Sequence, residues 1–350
     1  MIHVDGKKIL VVKLRYIGDT LTILPVIDNL LTHAPKASIH VMVNRGTEEV
    51  LLHHPGIRKV WAYDRLRAKE GLTGSIRYHA KIIRQLRSER YDVVLDFSHG
   101  DRASFLCYTT GARFRISYEN SSSLSHFFMN ILVPADPSKV HVVDYQLECL
   151  RLFGMDRFNR EFKLHVPPSA QSRVDAMLDH AGLHDGIIPW VAVHPGARGR
   201  LRQWQPGRFA EIARRLRSHW GAAVILIGGP GEGDLVDSVE RLMGFSASFK
   251  STGLGLLEMA AVLSRCRLFL GNDSAPGHMA AAVGCPTVSL FGPTFPHMWR
   301  PLSTRGAVVF KNVPCCGCRQ ERCVRPDETC MDLIGVEEVW EKVVRLIEGL

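Results

Sequence analysis

Asp273, Ser274, Gly277 and His278 crowd one short stretch, Leu270-Gly-Asn-Asp-Ser-Ala-Pro-Gly-His278. An apolar run ends there and a run of small residues begins, so the pattern predicts a strand end followed at once by a helix start. Free N–H groups at a helix start form an anion site, and the helix dipole adds to it. Ser274 offers a hydroxyl, and His278 lies one turn further on the same side. Asp273 or Ser274 alone would also serve as a plain helix cap. The coincidence of Asp, Ser, Gly and His at one strand end favours chemistry. Ala275 belongs to the same helix start, and the next strand-end turn, Leu290-Phe-Gly-Pro-Thr294, is expected to face the same cleft.

Three other strand-end turns carry polar groups. Val193-His194-Pro-Gly196-Ala197-Arg198 is followed by Arg200-Leu-Arg202-Gln-Trp204-Gln-Pro206. Gly196 and Ala197 leave backbone N–H groups open to an approaching anion, and Arg202 could clamp a phosphate with two parallel bonds. Read alone, the segment is better taken as a solvated basic loop. Ile227-Gly-Gly-Pro-Gly-Glu232 is glycine-rich, and Glu232 either binds the vicinal hydroxyls of a ribose or sits in a simple turn. Lys13-Leu-Arg15-Tyr-Ile-Gly18-Asp19 places a carboxylate beside two cations at a strand-to-helix junction. Spacing alone favours Asp19 as a cap. The turn has only Gly18 where a dinucleotide fold has three glycines, which argues against a nicotinamide enzyme.

Nine cysteines occur. Cys107, Cys149, Cys266 and Cys285 are scattered among apolar or small neighbours and read as core residues. The other five form Cys315-Cys316-Gly-Cys318-(x4)-Cys323-(x6)-Cys330. Cys315, Cys318, Cys323 and Cys330 suit a tetrahedral zinc site. Reduced packed thiols remain open, and disulfides are less suited to a reducing compartment.

These groups sit in a chain of 350 residues, long enough for two domains, with 46% hydrophobic and 23% charged residues. No stretch approaches the ~20 apolar residues of a membrane-spanning helix. The apolar run Ile9–Val12 is too short for a signal-peptide core, so a cytoplasmic protein is expected. The net charge of +9 suits an anionic partner or merely aids solubility. With no long Lys/Arg tract and no RNA-binding or zinc-finger signature, nucleic acid is not favoured.

The elements that must position the turns alternate between strand and helix. Predicted strands are 8–14, 39–43, 57–63 and 92–97, then 190–194, 223–228, 267–271 and 286–291. Predicted helices are 75–89, 142–153, 206–218, 256–264, 275–283 and 336–348, and Leu21, Leu24, Ile27, Leu30 and Leu31 recur at helical spacing. A polar stretch, 119–125, breaks the rhythm. The fold class is therefore α/β, with two Rossmann-like doubly wound domains facing a cleft. The expected boundaries are 1–170, a linker at 171–185, and 186–350 with the cysteine-rich segment 315–330 and a terminal helix.

The ordered set of blocks resembles glycosyltransferase family 9, the ADP-heptose:lipopolysaccharide heptosyltransferases. It comprises Lys13-Leu-Arg-Tyr-Ile-Gly-Asp-Thr-Leu21, Thr110-Gly-Ala-Arg113-Phe-Arg115-Ile-Ser-Tyr118, His194-Pro-Gly-Ala197, Arg202-Gln-Trp204, Asn272-Asp-Ser274 with Gly277-His278, and Phe291-Gly-Pro-Thr294. The wording around Asp19 is most similar to the heptosyltransferase III branch. The resemblance implies a GT-B architecture, with the acceptor on the N-terminal domain and the nucleotide-sugar on the C-terminal one. It implies Asp19 as general base and Arg202, where the family usually has Lys, as the cation on the departing diphosphate. Gly196, Ala197, Asp273, Ser274, Ala275, Gly277, His278 and Thr294 would hold the donor, with Glu232 on the ribose and Leu254 against the adenine. Lys13, Arg15, Gly18, Arg113 and Arg115, with Arg102, would contact the acceptor.

The implied reaction is a single inverting displacement of ADP from ADP-heptose by a hydroxyl of a lipid A–core acceptor, in the biosynthesis of the lipopolysaccharide core. No metal is required for it, since a cationic clamp and backbone amides take its place and no Asp-x-Asp metal-nucleotide motif is present. The enzyme would meet its acceptor in transient contact with the inner face of the cytoplasmic membrane. Two alternatives remain at this stage: another GT-B enzyme such as a sugar-nucleotide epimerase, and a non-catalytic protein binding a nucleotide-sugar or a lipid surface.

Overall fold

Ile9, Leu10, Val11 and Val12 are buried to the last atom or nearly so. Such an unbroken apolar run suits a parallel strand covered on both faces. It forms the heart of β1 (Lys8–Lys13) in a computed structural model that describes residues 1–119, 121–161, 163–184, 188–318 and 322–349. The chain divides into two units, Met1–His165 and Val166–Leu350.

In the first unit β1 is followed by α1 (Ile17–Leu21), α2 (Leu24–His33), β2 (Ser38–Asn44), β3 (Ile57–Tyr63), α3 (Gly71–Ser88), β4 (Val93–Asp96), α4 (Asp101–Thr109), β5 (Phe114–Tyr118), α5 (Ser123–Phe128), β6 (Ile131–Val133) and α6 (Val142–Leu147). The six strands are parallel in the order β3-β2-β1-β4-β5-β6. Ile82 and Leu86 of α3 and Ala103, Leu106 and Cys107 of α4 pack on Leu10, Val12, Met42 and Val94 of the sheet. Those helices therefore cover one face side by side.

The second unit opens with α7 (Pro168–His180). It continues with β7 (Trp190–His194), α8 (Pro206–Trp220), β8 (Ala223–Leu226), α9 (Gly233–Met243), β9 (Phe249–Lys250), α10 (Leu256–Arg265), β10 (Leu268–Asn272), α11 (Ala275–Ala282), β11 (Thr287–Phe291), α12 (Pro296–Trp299), β12 (Gly306–Phe310) and α13 (Val336–Glu348). Its strand order, β12-β11-β10-β7-β8-β9, is the same topology written from the other edge. Each unit thus pairs its first and fourth strands at the centre, β1 with β4 and β7 with β10. The connections there diverge to opposite sides, which opens a crevice beyond the carboxyl ends of those strands.

The alternation expected from sequence is present; α4, α9, β9 and β12 are not among the predicted elements, and three further differences appear. The polar stretch 119–125 does not break the rhythm: β5, α5 and β6 carry it through, because a short strand and a six-residue helix leave too weak a periodicity to read. Where a linker was expected at 171–185, α7 occupies most of the span. It starts with Pro168 in its first turn and buries only Ala170, Val174 and Leu178 among polar residues. Residues 185 and 186, the end of that linker and the start of the expected second domain, lie outside the described residues, as do 319–321 of the cysteine-rich segment. The helix expected at 142–153 is α-helical only to Leu147 and continues as a 3-10 helix to Phe153.

Glycine at 271 is required by packing, since a Cβ there would stand 3.0 Å from the His194 carbonyl oxygen and 2.7 Å from the Phe269 ring. Gly271→Ala should cost about 1–3 kcal/mol. Gly207→Ala, in α8 with nothing within 4 Å of the new Cβ, should instead gain about 0.5 kcal/mol. Urea denaturation of the two variants checks the contrast.

Candidate active site

In the second unit the crevice between β7 and β10 gathers most of the predicted donor residues. His194 ends β7 and its ring bridges two of them, with Nε2 3.0 Å from Glu232 Oε2 and Nδ1 3.1 Å from Ser274 Oγ. A carboxylate partner assigns the proton to Nε2. The Ser274 hydroxyl proton then lies between two acceptors, Nδ1 and the Asn272 carbonyl oxygen at 3.0 Å. The Gly229 N–H also donates to Glu232 Oε2, at 2.7 Å. The hydrogen bond from His194 is the main reason the Glu232 carboxyl is held below its ordinary range. A Cβ at position 196 would fall within 2.1–2.5 Å of that carboxyl group, so Gly196 lets Glu232 lie directly over the strand-end backbone.

Asn272, at the end of β10, ties the loops together. Its Nδ2 donates to Pro195 O at 2.8 Å and its Oδ1 accepts from Trp204 N–H at 3.1 Å. Gln203 Nε2 donates to Ala197 O at 3.0 Å. Trp204 is wholly buried, with its indole N–H on Ile334 O at 2.9 Å. These bonds fix the turn that carries Arg202, whose Nη1 stands 3.3 Å from Asp273 Oδ2. The Thr294 hydroxyl donates to the same oxygen. Ser274 occupies the position before α11 without a side-chain capping bond, Ala275 is the first residue of the helix, and Gly277 and His278 are buried within it. Leu254, partly buried, follows Gly253 in the loop before α10.

In the first unit the crevice lies between β1 and β4. Lys13 is 3% exposed; its Nζ donates to Phe97 O at 3.0 Å and stands 3.7 Å from Asp19 Oδ1. With its amide oxygen turned toward it, Gln146 accepts from the same ammonium at 3.1 Å. Burial pushes the Lys13 pKa down, Arg15 adds to this, and Asp19 opposes it. Asp19 sits in the first turn of α1 with Gly18, and its Oδ2 accepts from Tyr16 N–H at 3.4 Å. The cap and the paired carboxylate are therefore one residue. Ser98 joins the two strand ends, taking Leu14 N–H on Oγ and Arg15 Nε–H on its carbonyl, both at 2.8 Å.

Register separates two predicted acceptor residues from this crevice. Arg115 lies level with Val94 and hence with Leu10, three residues before the end of β1, and Arg113 precedes it. Arg115 spends its guanidinium on Phe128 O and Ala112 O. Arg102, by contrast, stands in the first turn of α4, with its guanidinium 6.0 Å from the Tyr63 ring.

Sequence reading missed His194 as a working group and missed His99 altogether. His99 follows β4 with a left-handed backbone, φ 56°. Its ring lies against Tyr118 and Tyr145, and burial, then Lys13 and Arg15, push its pKa down to about 3. The signal was Ser98-His99-Gly100-Asp101 directly after a strand.

The five clustered cysteines, Cys315, Cys316, Cys318, Cys323 and Cys330, line one small cavity with Leu201, Pro293 and Val313. All are free thiols. Among the described residues no three His, Cys, Asp or Glu side chains are arranged to hold a metal ion.

The family described as glycosyltransferase family 9 (heptosyltransferase) matches residues 79–327. The chain belongs to that family. It is 30% identical to lipopolysaccharide heptosyltransferase 3 of Escherichia coli over 83% of this chain and 85% of that one. Among solved structures, the family 9 glycosyltransferase of Veillonella parvula superposes with a TM-score of 0.87 at 22% identity, covering 100% of this chain and 99% of that one. An Escherichia coli heptosyltransferase, WaaC, solved with ADP gives 0.75 at 15% identity over 97% and 99%. The expected α/β class with two Rossmann-like domains of GT-B type and the expected transferase class hold for this member of family 9. The heptosyltransferase 3 similarity agrees with the expected branch.

The His194–Glu232 pair carries a pH signature. A depressed carboxyl contributes stability that is present above its ordinary value of 4.5 and lost as pH falls through the lower folded value. The stability difference between wild type and Glu232→Gln should therefore be constant near neutrality and shrink below about pH 4.5. Urea midpoints between about pH 7 and 3 measure it; a flat difference would mean the pair does not form.

Proposed function

We propose that this family 9 enzyme transfers a heptose from ADP-heptose to a sugar of the lipopolysaccharide inner core, with inversion at the anomeric carbon. The observation that carries the reading is a matched pair of strand-end sites. One unit presents a carboxylate beside a buried ammonium, Asp19 with Lys13. The other presents a helix start with an arginine and a serine, Arg202 with Ser274. The first suits proton removal from a sugar hydroxyl, and the second suits a diphosphate. Similarity to heptosyltransferases solved with ADP and with ADP-2-deoxy-2-fluoro heptose supports the donor.

In this reading the acceptor oxygen forms a bond to the anomeric carbon as its proton passes to Asp19. The bond from that carbon to the diphosphate breaks, and its electron pair leaves with ADP. Arg202 and the amides opening α11 stabilise the growing negative charge. Gly196, Ala197, Asp273, Gly277, His278 and Thr294 shape the donor pocket. Glu232 faces the ribose and Leu254 the adenine. Lys13, Arg15, Gly18 and Arg102 meet the acceptor. Lys13 would orient Asp19. Among the described residues Cys315, Cys318, Cys323 and Cys330 are not arranged to hold a metal ion, so reduced packed thiols are the separate structural proposal, outside the reaction. Zinc-free purified protein would support it, and stoichiometric zinc lost in Cys318→Ser would overturn it.

The enzyme acts where its lipid-linked acceptor is, at the cytoplasmic face of the inner membrane. No helix of the described residues is long and apolar enough to cross a membrane.

Incubation with ADP-heptose and a truncated core oligosaccharide should yield a product heavier by one heptose. Asp19→Asn should lower kcat by about 10²–10⁴ with ADP affinity unchanged. Arg202→Ala should lower kcat by about 10²–10³, and Arg202→Lys, which keeps the charge but not the fork, by less. Near-normal turnover in Asp19→Asn would remove the base from the scheme.

A further inference from the structure

Residues 65–88 hold seven bases (Arg65, Arg67, Lys69, Arg77, Lys81, Arg84 and Arg87) against one acid, Glu70. One short segment thus supplies six of the nine net positive charges of the chain. Most of it is α3, which has no acidic residue at all. Its buried stripe, Ile82 and Leu86, faces the sheet. Arg77, Lys81, Arg84 and Arg87 are exposed, and among the described residues none of the four makes an ion pair. An unneutralised array of this kind raises a positive potential over one helix.

Apolar side chains stand in the open at the same end of the layer. Leu66 is 81% exposed, Leu72 79% and Ile76 59%. Leu72 and Ile76 are four residues apart and share a face. The turn carrying Leu66 is tied to α3 by Ser75 Oγ donating to Ala68 O at 3.0 Å. Beyond α4, which packs against both α3 and α5, Leu124 and Phe127 of α5 are 54% and 76% exposed. In a parallel sheet with crossover helices, helix starts lie at the carboxyl ends of the strands. The leucines at 66, 72 and 124 therefore rise from the edge of the first unit that also carries Lys13 and Asp19.

We propose that the outer face of α3, with the starts of α3 and α5, docks on an anionic lipid bilayer surface. This deepens the proposed function and rests on it for the meaning of the docking, though not for the docking itself. The bases would sit at the headgroups, and Leu66, Leu72, Ile76 and Phe127 would enter the acyl boundary. A bilayer accounts for both halves of the surface. A nucleic acid would use the bases and leave the aliphatic side chains stranded in water. The placement also has a consequence for the reaction. An acceptor whose lipid stays in the bilayer would present its sugars at the strand-end edge where Asp19 stands.

The test is co-sedimentation of the full chain with vesicles of phosphatidylethanolamine containing ~30% phosphatidylglycerol, and with phosphatidylcholine vesicles, near physiological salt. Wild type should pellet with the anionic vesicles and stay in solution with phosphatidylcholine. Leu72→Glu/Ile76→Glu and Arg77→Glu/Lys81→Glu/Arg84→Glu should each reduce vesicle partitioning about tenfold or more. Both sets lie at exposed positions, so circular dichroism and Tm should match wild type, as should turnover on a delipidated oligosaccharide acceptor. Equal partitioning of wild type and both variants would overturn the proposal. So would equal binding to the two vesicle types, or RNA binding tighter than vesicle binding and unaffected by Leu72→Glu/Ile76→Glu. Vesicle binding without heptose transfer to the soluble acceptor would sink the proposed function and leave the docking surface intact.

Discussion

The pairing of the first and fourth strands in each sheet is the constraint from which the chemistry follows. Parallel strands at the centre of a sheet must be apolar on both faces, so β1, β4, β7 and β10 can carry almost no polar group along their lengths. Polar groups collect where these strands end and the chain turns away. There the backbone has left the sheet ladder, its N–H groups point into the crevice, and side chains from two non-adjacent segments meet. Ser98 against Leu14 and Arg15, and Asn272 against Pro195 and Trp204, are the same solution found twice. In each unit a short polar side chain at or just past the end of the fourth strand stitches the loop that follows the first.

What the two stitched crevices contain differs in charge. The first unit buries an ammonium, which costs desolvation that a single carboxylate at 3.7 Å does not fully offset. The Phe97 carbonyl and the Gln146 amide oxygen take the remaining donor capacity. A lysine kept in so unfavourable a place is poised toward its neighbour, and that neighbour is Asp19. His99, held neutral by burial and by the same cations, adds no positive charge near the carboxylate at neutral pH.

Much of this was legible in the sequence. The long buried strands announced themselves as unbroken β-branched and leucine runs, and the turns after them held nearly all the groups that the structure brings together. The helix start at Ser274 came from local chemistry, whereas the turn at Arg202, which alone reads as a solvated basic loop, took its meaning from the family resemblance. Long-range register came from neither. Arg113 and Arg115 stand in a motif that reads as functional, and only the pairing of β5 with β4 shows that they begin the strand where Asp19 follows the end of one. His194 looked like a residue introducing a glycine turn. Its bonds to Glu232 and Ser274 span 38 and 80 positions, a separation no local pattern reports. Short elements were missed for a simpler reason: β6 has three residues and β9 two, too few for any period to show.

The contact between Arg202 and Asp273 gives the proposed donor site a further property. The guanidinium has a carboxylate partner at 3.3 Å, so it is not unpaired. Asp273 in turn is held by the Thr294 hydroxyl, which fixes the side on which the arginine must lie. An arriving diphosphate carries more charge than one carboxylate and accepts more hydrogen bonds. It can draw the guanidinium toward it while Asp273 keeps one edge of the fork. A lysine has no second edge to offer and would have to choose between the two anions. Arginine at 202 thus fits a turn in which a carboxylate stands permanently beside the anion site, and the substitution of a fork for a point charge alters the geometry of the clamp without altering its sign.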